Sequence, residues 1–343
     1  MNPLFAPSFS LFSAVGGTYL GESIALAVAV SWTVCALLSE TVSRRLGAHV
    51  VNVLRMVLSL LFIGALLWVC TGSPLPPRAD ATTWGWLLAS GLVGYVFGDY
   101  CLFNAYLLIG SRFGQLFMTL APAVSAVAGW GLLGERLSAQ AVAGMAVTMT
   151  GIAVSILGRG APDADEAGRG TRRRVRLNLP ARGVLLGIGA GVGQGLGLTL
   201  SAVGLHHYAA SWAHGAASTA PAAAEHLRWL LPFAATQMRA VAGLPGFLLI
   251  LFLAGKGDAL RRACTDGRAW LLMAATVVFG PFVGVSLSLM ATQYTSTGVA
   301  MTIMSLSPVL ILWPAHVLFG QRVTRREVVG ALISVAGVAL FFV

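Results

Sequence analysis

Long stretches without a charged side chain recur along most of this sequence. A bilayer core of about 30 Å takes about 20 apolar residues of helix to cross, and the longest stretches have room for two crossings. Only 10% of the 343 residues are charged, whereas soluble domains usually have about 25% charged residues. The sequence therefore predicts an all-α integral membrane protein. The uncharged stretches are 23–39, 56–77, 81–98, 113–134, 137–158, 183–224, 240–255 and 269–321.

Division of these stretches into single crossings predicts ten transmembrane helices. The first twenty residues are apolar but have no basic start and no A-x-A cleavage site, so we do not interpret them as a removable signal peptide. The helices are expected near 21–40, 50–70, 83–107, 113–133, 138–158, 181–204, 230–254, 269–291, 297–319 and 324–343.

The net charge of +10 comes from basic residues at the predicted helix ends. That placement suits membrane insertion rather than one basic surface, so we expect a lipid bilayer and a small-molecule substrate as partners, and no nucleic acid. The four cysteines have no CxxC spacing and no P-loop occurs, so neither a metal site nor a cofactor is predicted. Whether the protein is a monomer or a homodimer stays open.

The basic residues also predict an orientation. Odd-numbered loops carry seventeen Arg and Lys residues, even-numbered loops carry three, and the termini carry none. Loops rich in Arg and Lys stay on the cytoplasmic side. We therefore expect a multi-pass inner-membrane protein whose loop between the fifth and sixth helices is cytoplasmic and whose termini are periplasmic.

The chain repeats itself. A shift of 186 positions aligns MTLAP at 118–122 with MSLSP at 304–308, and a shift of 184 aligns Arg55 with Arg239. Chance matches of Gly and Leu are frequent in so apolar a chain, but a shared Pro and a shared Arg in the same order are not. The sequence therefore predicts a duplication of five helices.

Because five is odd, the second copy is expected to enter the membrane upside down. We divide the chain into a first five-helix repeat (1–158), a basic linker (159–180) and a second, inverted five-helix repeat (181–343). Inverted repeats of this kind build a site near the midplane that is reached alternately from either side, as in transporters. The expected fold is thus two inverted five-helix repeats around a central cavity.

A family resemblance agrees with this expectation. PAVSAVAGWGLLGERLSAQAVAGMAVTMTGIAV and its repeat PVLILWPAHVLFGQRVTRREVVGALISVAGVAL resemble the last two helices of each half in the EamA-type branch of the drug/metabolite transporter superfamily. The resemblance implies ten helices, with the first, third and fourth of each half around the cavity. Two features depart from it: Gln321 replaces a Glu, and the family arrangement places both termini in the cytoplasm, against our charge count.

Asp99 lies near the middle of a predicted span. At 100° per residue it shares a helix face with Tyr95 and a seam formed by Gly91, Gly94 and Gly98, along which another helix can approach closely. A charged Asp at a span centre costs about 2.5–3.5 kcal/mol, so it should face the bundle interior and have a partner. Two roles stay open: binding a proton or a cationic substrate group at the cavity, or a structural ion pair, most simply with Arg55.

The other polar residues within spans also leave two interpretations each. Arg55 and Arg239 either extend to the membrane interface or contact an anionic substrate. Gln115 and Gln194 are either interhelical hydrogen-bond donors or substrate ligands, and the glycines around Gln194 predict tight packing or a bendable segment.

Three further residues follow from their positions in the spans. Trp32 is mid-span, where an interface anchor is less natural, and is a candidate for the cavity wall. Pro122 and Pro308 occupy matching places and should bend their helices, as hinges or as merely structural kinks. The segment HHYAASWAHGAASTAPAAAEHLR (206–228) is interpreted as an ordinary exposed loop.

These features favour a secondary active transporter of small organic solutes, such as amino acids or metabolites, across the inner membrane by alternating access. Export is favoured over uptake by family analogy alone, and a proton is a candidate coupling ion. The competing classes are a membrane-embedded enzyme and a non-transporting sensor or assembly protein. No HExxH or GxSxG motif occurs, so we expect no catalytic residues.

Overall fold

The computed structural model describes residues 19–102, 104–105, 108–109, 117–158, 180–217, 227–263, 266–310, 314, 317 and 324–342. All regular secondary structure in these ranges is helical, as predicted. Gln115 and positions 159–179 of the expected linker lie outside the described residues. The helices are α1 (Leu20–Leu46), α2 (Ala48–Thr71), α3 (Ala81–Gly91), α4 (Leu120–Leu133), α5 (Ala139–Gly158), α6 (Ala181–Ala217), α7 (Leu231–Leu253), α8 (Gly257–Ala263), α9 (Gly267–Val277), α10 (Ser286–Ala291), α11 (Thr297–Met304), α12 (Ser307–Leu310) and α13 (Arg325–Ala339).

Five stretches of the described chain are long and apolar enough to cross a membrane. Two shorter apolar helices, Leu120–Leu133 and Ala139–Ser155, lie between them in the sequence. Long apolar helices at the predicted places are therefore confirmed, whereas the full number of ten stays a prediction. The five stretches are Leu20–Ser43, His49–Thr71, Ala181–Ala213, Arg228–Leu253 and Ala269–Ala291.

Helix starts recur at the 186-residue spacing of the sequence repeat. The side chains of Asp80 and Asp266 cap the N-termini of α3 and α9. Each accepts a hydrogen bond from the backbone N–H three residues further along, at 2.8 and 3.1 Å. Ser138 and Thr324 do the same for α5 and α13, at 3.1 and 3.3 Å. Such caps satisfy N–H groups that have no partner within the helix. The two halves thus start equivalent helices with equivalent side chains.

Two π-helical segments also recur at the spacing of 186 residues. α3 continues into a π-helical segment at Leu92–Asp99, the first π segment, and a second π segment at Val278–Val285 joins α9 to α10. A shift of 186 superimposes the bounds of the two segments. π-helical turns are rare and frequently mark functional sites, so their repetition directs attention to the middle of these two helices.

α5 and α13 pack side by side in opposite directions. Thr148 donates a hydrogen bond through Oγ1 to the Ser334 carbonyl at 3.5 Å, and Ser334 Oγ donates to the Thr148 carbonyl at 3.4 Å. Thr148 and Ser334 are 186 positions apart and are therefore equivalent in the two repeats. Since each donates to the carbonyl of the other, a local two-fold axis passes between the helices. The glycine pairs along the same contact are Gly144 with Gly337 and Gly151 with Gly330.

The first helix of each half packs against the other half. α1 lies against α9, the second π segment, α10 and α11, whereas α6 lies against α3, the first π segment and α4. Equivalent positions make the contacts: Ser90 Oγ donates to the Gly197 carbonyl at 2.7 Å, and Cys35 Sγ donates to the Thr276 carbonyl at 3.5 Å. Ser90 and Thr276 are 186 positions apart. The core of the molecule therefore lies between the halves rather than within each one.

One sequence expectation about this architecture is wrong. α6 was expected to end at 204, with an exposed loop from 206, but it continues to Ala217. Tyr208 and Trp212 are buried one turn apart, and the Tyr208 hydroxyl donates to the Pro77 carbonyl at 2.9 Å. His206 is exposed on the other side. The spacing of four residues between the two aromatic rings is a helical signal, and the surrounding Ala, His and Ser residues obscured it.

Tight packing between α5 and α13 predicts a large effect of Gly330→Ala. A Cβ at Gly330 would collide with the backbone N of Ser155 and would lie 2.6 Å from its Cα, and overpacking of this kind costs about 1–3 kcal/mol. We expect a lower Tm of the purified protein in detergent. Gly85→Ala is the matched control, because a Cβ there meets nothing within 4 Å, and equal melting of the two variants would contradict this packing.

Candidate functional site

A polar cluster lies between the two halves, with Asp99 buried and Arg55 and Gln194 partly buried. Arg55 on α2 donates through Nη2 to Asp99 Oδ2 at 2.5 Å. Gln194 on α6 donates through Nε2 to Asp99 Oδ1 at 2.7 Å and to the Gly94 carbonyl at 3.3 Å. Both carboxylate oxygens of Asp99 therefore have a donor, one from each half. The ion pair with Arg55 is one of the two roles that the sequence left open for Asp99, and binding of a proton or a substrate stays a prediction. Gln194 is a second partner that the sequence did not predict.

Glycines on both helices make this contact possible. A Cβ at Gly193 would lie 2.7 Å from the Gly98 Cα, and a Cβ at Gly197 would lie 2.7 Å from the Gly94 Cα. Neither position can carry a side chain while α6 stays this close to the first π segment. Of the predicted seam of Gly91, Gly94 and Gly98, the last two face α6 as one close contact, whereas Gly91 faces the Arg239 carbonyl on α7. The glycines around Gln194 serve tight packing. The close approach brings the Gln194 side chain within reach of Asp99.

A second arginine lies beside the cluster. Arg239 on α7 is buried, 5% exposed, and its guanidinium carbon lies 4.6 Å from the centre of the Tyr95 ring. Its Nη2 lies 3.0 Å from the position that a Cβ would take at Gly94. Arg55 and Arg239 thus both direct their charges into the bundle, and the alternative in which they extend to the membrane interface is wrong for this conformation.

Three polar atoms near the cluster are buried without a hydrogen-bond partner in the described chain. They are Arg55 Nε, Tyr95 Oη and Arg239 Nε. No described carboxylate pairs with Arg239. Since Asp99 balances only one of the two guanidinium groups, the cluster carries one positive charge in excess. The two cavities described in the structure, of about 300 and 440 Å³, include none of these residues, so the central cavity stays a prediction.

Trp32 on α1 makes the contact in the second half that corresponds to the contact of Gln194 in the first half. A Cβ at Gly284 in the second π segment would lie 2.7 Å from Cδ1 and Nε1 of the Trp32 indole. Gly284 is the equivalent of Gly98, whose own neighbour is Gln194. Trp32 therefore occupies on α1 the place that Gln194 occupies on α6. Its role as a cavity wall stays a prediction, because no described contact joins it to Asp99.

The two prolines follow matching interruptions of the helix. A turn at Thr119 precedes Pro122 in α4, and a turn at Ser305 and Leu306 separates α11 from α12, which contains Pro308. A proline has no N–H to donate to the carbonyl four residues before it. The interruptions are therefore the expected result of the proline positions, whereas movement about them stays a prediction.

Sequence reasoning missed a contact that joins the halves near one end of the bundle. The Glu135 carboxylate, beyond the end of α4, accepts hydrogen bonds from the Thr297 hydroxyl at 2.8 Å and from the Thr297 backbone N–H at 3.0 Å. Thr297 begins α11, where a negative charge is favourable. Nearby, Thr295 donates to Glu22 on α1 at 2.6 Å. The sequence distinguishes the loop that contains Glu135 only as one of the even-numbered loops, which carry few basic residues.

Comparison with known proteins decides the family. The model of the EamA-like transporter family matches residues 19–157 and 208–343, which together make up most of the chain. The chain belongs to the EamA-like transporter family. The two matched regions agree with the sequence repeat, and with the apolar helices they make this a multi-pass membrane protein of a transporter family. The resemblance seen in the sequence is thereby confirmed.

Solved structures add information about the fold alone. A protein whose structure is described only as "Crystal structure of protein" is similar to this EamA-like chain with a TM-score of 0.59 and 17% identity. The similarity covers 94% of this chain and 96% of that one. A search of curated proteins found no match.

The ion pair between Arg55 and Asp99 predicts a compensated double substitution. Arg55→Met leaves the Asp99 carboxylate with Gln194 alone, and removal of one partner of a fully buried pair costs about 3–5 kcal/mol, which is the upper bound for this partly buried pair. We expect a clearly lower Tm in detergent for Arg55→Met and recovery of most of it when Asp99→Leu is added. A double variant that melts as early as the single one would show that the pair is not formed.

Proposed function

We propose that this protein is a secondary active transporter that moves small organic solutes, such as amino acids or other metabolites, across the inner membrane. The observation that carries the proposal is the cluster of Arg55, Asp99 and Gln194 around the buried Asp99 carboxylate, which both halves build together in a chain of a transporter family. Ionisable residues inside a membrane are costly and usually mark a pathway for a substrate or ion. Because residues of both halves form the cluster, its hydrogen bonds change when the halves move relative to each other.

The architecture we propose is ten helices in two inverted five-helix repeats, with 159–180 as the linker. Reciprocal, antiparallel contacts between α5 and α13 support it, because helices related in this way run in opposite directions through a bilayer. The helix caps and π segments repeated at a spacing of 186 residues support the same relation. Inverted repeats of this kind suit transport by alternating access around a site between them.

The proposed movement opens one end of the bundle while the other closes. In the described conformation the contacts of Glu135 with Thr297 and of Glu22 with Thr295 join the two halves near one end. Breaking them would let α4 and α11 separate about the interruptions that precede Pro122 and Pro308. The polar cluster would then face the opened side.

Orientation, direction and coupling complete the proposal. The distribution of basic residues supports a cytoplasmic linker and periplasmic termini, and family analogy favours export. No nucleotide-binding motif occurs in the sequence, so a gradient is the proposed source of energy. Asp99 is the candidate proton carrier, because it is the carboxylate at the centre of the cluster.

Substitution of Asp99→Asn tests the proposal by solute flux. Purified protein in proteoliposomes is given labelled amino acids and metabolites, with and without a pH gradient. We expect the wild type to show flux and an equal amount of reconstituted Asp99→Asn to show none, because the amide keeps the size of the side chain but cannot carry the charge. Flux of Asp99→Asn equal to that of the wild type would contradict the role of Asp99.

Asp80→Asn is the matched control for loss of a carboxylate. Asp80 caps α3 at the surface, and Asn caps helices as well as Asp does. This variant should transport at the wild-type rate. Disappearance of Asp99→Asn from the membrane would instead show that the ion pair serves folding, and absence of flux for the whole panel in the wild type would contradict the transporter proposal.

A further inference from the structure

We propose that Arg239 and Tyr95 form the receptor for a carboxylate group, so that the solute is a small organic monocarboxylate. This inference rests on the proposed transport function and names the chemical class of its substrate. It starts from a difference between the two arginines beside the cluster: Arg55 has a carboxylate partner and Arg239 has none among the described residues.

The repeat identifies the missing partner. Arg55 and Arg239 occupy equivalent places in α2 and α7, at the spacing of 184 residues. The carboxylate that pairs with Arg55 is Asp99, and the position equivalent to Asp99, 186 residues on, is Val285. The second half therefore keeps the cation and has an apolar side chain where the first half has the anion. A substrate carboxylate would supply the charge that Val285 lacks.

The Tyr95 ring does not compensate for this absence. A cation is attracted to the face of an aromatic ring, most strongly when both are shielded from water. Transfer of a single charge into a protein interior is nevertheless costly, because the ring carries no opposite charge to replace the lost hydration. The guanidinium carbon lies 4.6 Å from the ring centre and Arg239 as a whole is 5% exposed, so the ring offsets part of the cost of burying the charge and leaves the charge itself unbalanced. A bound anion would reverse the balance by adding an ion pair with hydrogen bonds.

The donors that lack partners fit a carboxylate. Arg239 Nε is buried without an acceptor, and a guanidinium offers parallel N–H groups that match the two oxygens of a carboxylate. Tyr95 Oη is also buried without a partner and is a further donor from the opposite half. Asp99 repels an anion, but both its oxygens already accept hydrogen bonds from Arg55 and Gln194. The net charge of the three groups therefore attracts one negative charge.

The same contact explains how binding couples to movement. Arg239 belongs to α7 in the second half and Tyr95 to the first π segment in the first half. Gly243, one turn after Arg239 on α7, packs against Tyr95 and Met56: a Cβ there would lie 3.2 Å from Tyr95 Cδ2 and 3.0 Å from Met56 Sδ. An anion has access when α7 separates from the first π segment. A carboxylate held by donors from both halves would then draw the two halves together around it.

Thermal unfolding of the purified full-length protein in detergent tests the receptor. The probes are acetate, propionate and benzoate, each compared with its uncharged amide, and inorganic phosphate is included. We expect the carboxylates to raise the Tm of the wild type and the amides to leave it unchanged. In Arg239→Gln we expect the carboxylate affinity to fall about 10- to 100-fold, as loss of a charged hydrogen-bonded partner predicts.

Two further variants keep the test decisive. Without ligand, Arg239→Gln should melt no lower than the wild type, because the substitution removes an uncompensated charge. Val285→Asp places a carboxylate at the position equivalent to Asp99 and should weaken the response to the carboxylate probes. Gly85→Ala, at an open surface position, should respond as the wild type does.

Several results would overturn the inference. They are an absence of response to all the carboxylates, an equal response to the amides, a response to phosphate alone, and an undiminished response of Arg239→Gln. Failure of the transport proposal looks different: carboxylates would bind through Arg239 but show no flux in proteoliposomes. Conversely, flux of an uncharged or cationic solute that Arg239→Gln leaves unchanged would contradict the inference and leave transport standing.

Discussion

Contact of glycine against glycine between α6 and the first π segment is the constraint on which the polar cluster depends. Gly193 faces Gly98 and Gly197 faces Gly94 without room for a Cβ. At this distance Gln194 reaches Asp99, and Asp99 reaches Arg55 on α2. A wider spacing would leave a buried carboxylate with one donor fewer, which is costly where water is excluded. Close packing of the glycines and compensation of the Asp99 charge therefore depend on each other.

The duplication preserved the scaffold and changed the centre. Caps, π segments and helix interruptions recur at one spacing, but Asp99 corresponds to Val285 and Tyr95 to Pro281. Gln194 corresponds to Trp32, because the two side chains pack against the equivalent residues Gly98 and Gly284. One half therefore presents charged and hydrogen-bonding groups where the other presents apolar ones. The excess positive charge of the site follows from this divergence, because the arginine was kept in both copies.

Much of this arrangement could be predicted from residues alone. Apolar length places the helices, the glycine spacing on the third helix defines the seam, and the cost of Asp99 in a span requires a partner such as Arg55. These inferences work because each depends on local spacing or on the small number of charges available. The extended α6 was missed because its buried face after residue 204 consists of widely spaced aromatic rings among small residues.

Contacts between the halves were not accessible in this way. Gln194 has several possible partners in a glycine-rich helix, and no sequence pattern shows that it meets Asp99 across 95 positions. Arg239 on Tyr95 and Glu135 on Thr297 likewise depend on how two separate helices approach each other. The repeat relation indicates which positions are equivalent but does not state which ones touch.

A reversible cross-link between the halves tests the central claim, that solute passes when the two repeats separate at one end. Cysteines would replace Glu135 and Thr297, which contact each other there, in a protein whose four native cysteines have been removed. Flux in proteoliposomes is then measured before oxidation, after it, and after reduction. The account predicts that the disulfide stops flux and that reduction restores it. Undiminished flux through fully cross-linked protein would contradict it.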